Sequence, residues 1–181
     1  MELIDEPLPG VKILRPFVFD DSRGNFVKPF HDGQLAAHGI HLNLREEFYT
    51  TSNANVIRGM HFQAPPHDHQ KLVYCISGKV LDVLLDLRKT SATYGQHARF
   101  EVSAENKHVV YIPIGFAHGF LSLEDHSCLV YKTDTVHHPS SDRGIRWNSF
   151  GCPWPNQSAA SLSISARDEL HPPFAEFVSP F

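Results

Sequence analysis

The segment "RGMHFQAPPHDHQK", Arg58 to Lys71, sets three histidines and two cationic side chains around a Pro65-Pro66 pair within fourteen positions. No other stretch of the chain is so dense in groups that bind metals or move protons. A metal reading takes the HxH of His67 and His69 with the later His118, which follows a turn in "PIGFAH". It lacks the expected carboxylate, because "QKLVYCISG" after His69 holds no Glu. Directly after two prolines, His67 and His69 read as solvated loop residues, so no metal is expected.

A proton-transfer reading takes His61 in "HFQ", placed just ahead of a strand, Lys71 at the start of "KLVYCI", Tyr131 at the end of "SCLVY" and Asp168 in "SARDEL". Each also has an ordinary structural reading: a solvated strand-start lysine, a half-buried tyrosine, a capping aspartate. As a set they are a base, a carboxylate to orient it, a cation for an enolate oxygen and a phenol to return a proton. That is the equipment for moving a proton on a carbon beside a carbonyl, and it works only if the fold gathers the four residues around one cavity.

The elements available to do so are strands. "VKIL", "FVFD", "KLVYCI", "KVLDVLLDL", "HARFEV", "HVVYIPI", "HGFLSL" and "SCLVYKTD" are short β-rich runs divided by Gly, Pro, Asn and Ser turns, with 13 prolines and 11 glycines in all. This spacing predicts an all-β sandwich or barrel. Helix is confined to Gly33–Gly39 and a turn at "SARDEL". There is no βαβ alternation and no Gly-rich phosphate loop, so a phosphate must be held by Arg and Lys side chains.

At 181 residues the chain suits one domain spanning 1–181. The net charge of -4, without a basic run, argues against a nucleic-acid partner. The acidic, proline-containing start and the lack of an 18-residue apolar segment argue against a signal peptide or membrane span, so a soluble cytoplasmic protein is expected. Cys75, Cys128 and Cys152 lack CxxC spacing and read as ordinary buried thiols.

Taken in order, "DSRGNF", "RGMHFQ", "QKLVY", "IPIGFAHGF", "YKTD", "GIRWN" and "SARD" make the chain resemble the dTDP-4-dehydrorhamnose 3,5-epimerase family over nearly its whole length. The resemblance implies a jelly roll of the cupin type with few short helices. It also implies a homodimer, no cofactor, and a nucleoside-diphosphate 4-keto-6-deoxyhexose as substrate. It makes His61 the base paired with Asp168, sets Lys71 at the C4 oxygen, and places Tyr131 on the opposite sugar face as the acid. Arg23 and Arg58 become diphosphate ligands, Phe26 a wall of the nucleotide site, and Gln63 and His118 polar lining near the sugar.

Three positions on the nucleotide side depart from the family's habit. Lys28 stands where Glu is usual, "REEF" (Arg45 to Phe48) where amides are common, and His137 where a second Tyr is usual. These departures leave open a CDP- or GDP-linked sugar and inversion at C3 or C5 alone. Readings from other classes are a metal-dependent cupin oxygenase and a non-catalytic sugar-nucleotide binding module.

Overall fold

In the computed structural model, which describes residues 1–155 and 162–181, strand is the dominant regular structure and helix is confined to short turns. β1 (Glu2–Asp5) and β2 (Lys12–Arg15) lead into a hairpin of β3 (Phe17–Asp21) and β4 (Gly24–Lys28), then helix α1 (Asp32–Ala36). Next come β5 (Glu46–Ser52), β6 (Val56–Gln63), β7 (Lys71–Ser77), β8 (Lys79–Asp86) and β9 (His97–Ser103). They are followed by β10 (Val109–Ile112), β11 (Phe116–Ser122), β12 (Ser127–Thr133) and β13 (Asp142–Gly144). β14 (Ser163–Ile164), helix α2 (Ala166–Glu169) and a 3₁₀ turn at Phe174–Glu176 come last.

One sheet runs β1-β2-β10-β7-β12-β5 and the other β13-β6-β11-β8-β9, with β14 added parallel to β6 and all other pairings antiparallel. Between the two sheets lies an apolar layer with Val73 and Leu129 on one side and Val80, Leu84 and Phe120 on the other. Intervening residues of the second sheet, among them Met60, Phe62, Val83 and Leu85, face outward but are buried again beneath Trp147, Trp154, Phe177 and Phe181. Burial on both faces is why "KVLDVLLDL" is almost continuously apolar rather than alternating. On the far side of the first sheet, Leu35 and Ile40 pack with Leu14, Leu72 and Val109. The architecture is the expected all-β jelly-roll, cupin-type sandwich.

The expected strands are present, and α1 begins one residue before the anticipated Gly33 and ends at Ala36. His61 differs from expectation: it lies inside β6 rather than ahead of a strand. All three cysteines are buried. Among the described residues, no helix is long and apolar enough to cross a membrane. The β3–β4 hairpin forms a two-stranded sheet of its own, with Phe17, Phe19 and Phe26 each about half exposed.

Candidate active site

Strand β6 supplies the base. Opposite it in β11, His118 faces His61 and Phe120 faces Arg58, so Gly59 and Met60 together oppose the single residue Gly119. This bulge changes the strand's parity and brings Arg58 and His61, three residues apart, onto the inner face. Glycine is required on both sides of it. Gly59 has φ +128°, and a Cβ there would lie 2.5 Å from the Gly119 Cα; one on Gly119 would lie 2.7 Å from the Met60 Sδ.

Helix α2 brings the partner. The Ser165 hydroxyl caps it by accepting from the Asp168 N–H at 3.1 Å, while the Asp168 carboxylate turns inward and is buried. One carboxylate oxygen accepts from His61 Nε2 at 2.7 Å and the other from the Gly59 N–H at 3.2 Å. Burial alone would raise the Asp168 carboxyl. The His61 hydrogen bond and charge, with the Gly59 N–H, more than offset it and hold the group below the usual carboxylate range. An ionised Asp168 keeps the His61 proton on Nε2. Nδ1, with no hydrogen-bond partner among the described residues, is then an available lone pair on a ring that lines the cavity.

The opposing sheet supplies the other two groups. Lys71 pairs with Thr133 in the β7–β12 ladder and Tyr131 lies two residues along, so their side chains are diagonal neighbours, about 7–8 Å apart at the backbone. Lys71 is only 9% exposed, and burial pushes its ammonium down to about 8, against the charges of Asp142 and Asp82. Burial moves the Tyr131 phenol the other way, upward, so it keeps its proton at neutral pH. Phe48 of β5 stacks on its ring at 4.7 Å. Beneath them the fully buried Asp82 carboxylate accepts from His118 Nε2 at 2.8 Å, which ties down one of the histidines expected to line the sugar site.

All four proton-handling residues line one cavity of about 670 Å³, within the range of small-molecule sites. Arg58, Gln63, His118 and His137 line it too. Arg58 is steadied by the Ser52 hydroxyl at 3.1 Å and the Thr51 carbonyl at 3.3 Å. His137 sits where Glu46 accepts from its N–H at 2.5 Å, with its ring 3.2 Å from Asp142, which also pairs with Arg167 at 2.7 Å. Arg23, Phe26 and Lys28 are not brought to this cavity. They stand on the exposed β3–β4 hairpin, where Arg23 pairs with Asp21 at 2.6 Å beside a separate shallow depression that Phe26 helps to line.

Two further expectations need correction. His67 and His69 are half-buried rather than freely solvated: His67 stacks on His138 at 3.5 Å and bonds the Ser141 hydroxyl, while His69 lines the cavity. Burial, then the Lys71 and His137 charges, push the His69 ring down to about 3, so it is neutral. Gln63 lines the cavity with its amide already engaged, donating to the His67 carbonyl and His69 Nδ1 and accepting from the His138 N–H. Among the described residues, the ligand atoms that converge well enough to hold a metal belong to His61, Asp168 and His171, not to His67, His69 and His118. His171 is not among the residues singled out by the sequence motifs. Its spacing of three from Asp168, one helical turn, was the available signal, as were Asp142 and Arg167 in neighbouring polar clusters.

A cupin-type barrel with a carboxylate-held histidine on one sheet, and a buried phenol and lysine on the other, has the form of an epimerase acting beside a carbonyl. The profile of the dTDP-4-dehydrorhamnose 3,5-epimerase family matches residues 5–176. The enzyme of that name from Escherichia coli (strain K12) is 39% identical over 172 residues, 93% of this chain and 92% of its own length. Another from Neisseria gonorrhoeae is 39% identical over 165 residues, and the chain spans about half of that longer relative. In structure, the dTDP-6-deoxy-D-glucose-3,5-epimerase of Legionella pneumophila Philadelphia 1, solved with dTDP-4-keto-L-rhamnose, superposes with a TM-score of 0.92. That pair shares 29% identity, with 98% and 94% of the two chains covered. The chain belongs to the dTDP-4-dehydrorhamnose 3,5-epimerase family, a family of carbohydrate epimerases.

Proposed function

We propose that this chain epimerises dTDP-4-dehydro-6-deoxy-D-glucose at C3 and C5 to dTDP-4-dehydro-L-rhamnose, in the service of deoxysugar synthesis. The observation that carries this reading is the placement of His61, held by Asp168 on one sheet, in the same cavity as Tyr131 and Lys71 on the other. The C4 ketone acidifies the protons on C3 and C5. His61 Nδ1 removes one of them, and Asp168 stabilises the imidazolium that forms. The enolate oxygen is held by the Lys71 ammonium, and Tyr131 returns a proton from the other face, inverting the carbon. A positioned base of this kind contributes about 10²- to 10⁴-fold. An oxyanion donor contributes about 10²- to 10³-fold. A related enzyme solved with dTDP-4-keto-L-rhamnose supports the thymidine carrier over CDP or GDP.

The same reading makes residues 1–181 one epimerase domain, working as a homodimer in the cytoplasm. A lone two-stranded hairpin is marginal in water. The exposed phenylalanines of β3 and β4 are what a second copy would cover. Arg23 and Phe26, outside their own chain's cavity, then serve the nucleotide in the partner's. Three buried cysteines suit a reducing compartment.

The test is deuterium uptake from D₂O by the dTDP, CDP and GDP 4-keto-6-deoxyglucose derivatives, read at C3 and C5 by NMR. Uptake at both carbons of the dTDP sugar is expected. Uptake at one carbon, or only on another carrier, would refute this assignment of the substrate and outcome.

A further inference from the structure

His171 lies outside the cavity wall yet against the catalytic pair. Its ring meets that of His61 edge-on at 5.7 Å, and its Nε2 is 3.7 Å from the Asp168 oxygen that His61 also contacts. The side chain is 13% exposed, and its Nε2 is buried with no hydrogen-bond partner. Gly144, beside His61 in the β13–β6 ladder, leaves the room the ring occupies, since a Cβ there would overlap it.

Two imidazole nitrogens and a carboxylate oxygen therefore converge, all within 4.8 Å of one another. A tetrahedral zinc ion with bonds of roughly 2.0–2.1 Å needs its ligand atoms about 3.4 Å apart. The 2.7 Å contact must open and the 3.7 Å contact close, each by under about 1 Å. The surrounding charges are mixed: Arg167 is matched by Asp142, while Arg58 and Lys71 on the cavity wall weaken cation binding without occupying the site.

We propose that His61, Asp168 and His171 form a site for a divalent transition ion of the zinc type, and that its occupation switches the base off. Coordination through Nε2 as a neutral imidazole puts the His61 proton on Nδ1. The lone pair that faces the sugar is thereby lost, and the Asp168 oxygen that held the opposite tautomer is drawn to the ion. The binding itself does not depend on the reaction; only its inhibitory consequence rests on His61 being the base.

The experiment titrates Zn²⁺ into chelator-treated wild-type protein by calorimetry, and in parallel follows deuterium uptake by the dTDP sugar. One ion per chain should bind in the micromolar range, uptake should stop as the site fills, and EDTA should restore it. His171→Phe should keep basal uptake, because His171 does not line the cavity, and should need at least about tenfold more Zn²⁺ for half-inhibition. His171→Gln replaces it if the phenyl ring disturbs packing. Equal zinc sensitivity in wild type and a folded His171 variant, or no binding by wild type at micromolar ion, would overturn the inference. Binding that depends on His171 while uptake continues upholds the ion site and instead refutes His61 as the base.

Discussion

Replacing Asp168 with Asn changes one atom and removes one charge. Asp168 accepts from two donors, His61 Nε2 at 2.7 Å and the Gly59 N–H at 3.2 Å. An asparagine has a single acceptor for both. If its oxygen stays with Gly59, its NH₂ faces His61 Nε2, which must become an acceptor; the ring proton moves to Nδ1 and the base is lost. If its oxygen stays with His61, the NH₂ confronts the buried Gly59 N–H at a cost of about 1–3 kcal/mol. Either way the imidazolium loses a charge-assisted hydrogen bond worth about 1.5–3 kcal/mol. At 1.36 kcal/mol per decade that loss is about 10- to 150-fold in rate. The wrong tautomer takes the total toward the roughly 10⁴-fold seen for the same change in a serine-protease triad. Deuterium uptake at C3 and C5 under saturating substrate is the assay, with KM measured alongside. The expected result is a fall in kcat of about 10²- to 10⁴-fold with KM little changed. A folded Asp168→Asn protein within about threefold of wild type would show that the carboxylate does not govern the base.

Tyr131→Phe should separate the two half-reactions: the variant should still exchange C3 or C5 hydrogen with D₂O on the His61 side while inversion falls about 10²- to 10⁴-fold, so loss of both together would contradict its assignment as the acid. Burial lowers Lys71 from 10.5 to about 8, so between those pH values the unfolded chain binds more protons and stability rises with pH; below pH 8 the full cost to the fold is present. Lys71→Met should therefore abolish activity yet raise stability at pH 7 by about 3 kcal/mol, a gain that fades by pH 10.5 in urea melts. The same titration sets an alkaline limb near pH 8 in kcat/KM, which Lys71→Arg should move upward if any activity remains. If the hairpin serves a partner's site, mixing inactive His61→Ala and Arg23→Ala chains should restore about a quarter of wild-type activity, because half the mixed dimers' sites escape both lesions. Action within one chain predicts no recovery.

Several elements were readable because their signal is local. The runs that became β7, β8, β11 and β12 are apolar and turn-bounded, and both their sheets are buried enough to demand that composition. β6 was partly hidden because its inward residues at the site, Arg58, His61 and Gln63, face a polar cavity, and its bulge at Gly59 breaks the period of two. β5, an edge strand with Phe48 and Tyr49 exposed, carries no clear alternation either. His67 and His69 looked solvated beside two prolines, but the loop folds back under residues of the 136–141 segment, a contact no local pattern encodes.

By itself the sequence determined a β-rich chain with a histidine, lysine, tyrosine and aspartate suited to proton transfer, because residue type and short-range periodicity are properties of neighbouring positions. The tertiary structure decided the rest. That His61 offers Nδ1 rather than Nε2 depends on a carboxylate 107 positions away. Lys71 near 8 and a protonated Tyr131 are consequences of burial between two sheets, and the approach of His171 depends on the space left at Gly144. Distance and desolvation arise only when remote segments pack, and they decide which of the available groups gives a proton and which takes one.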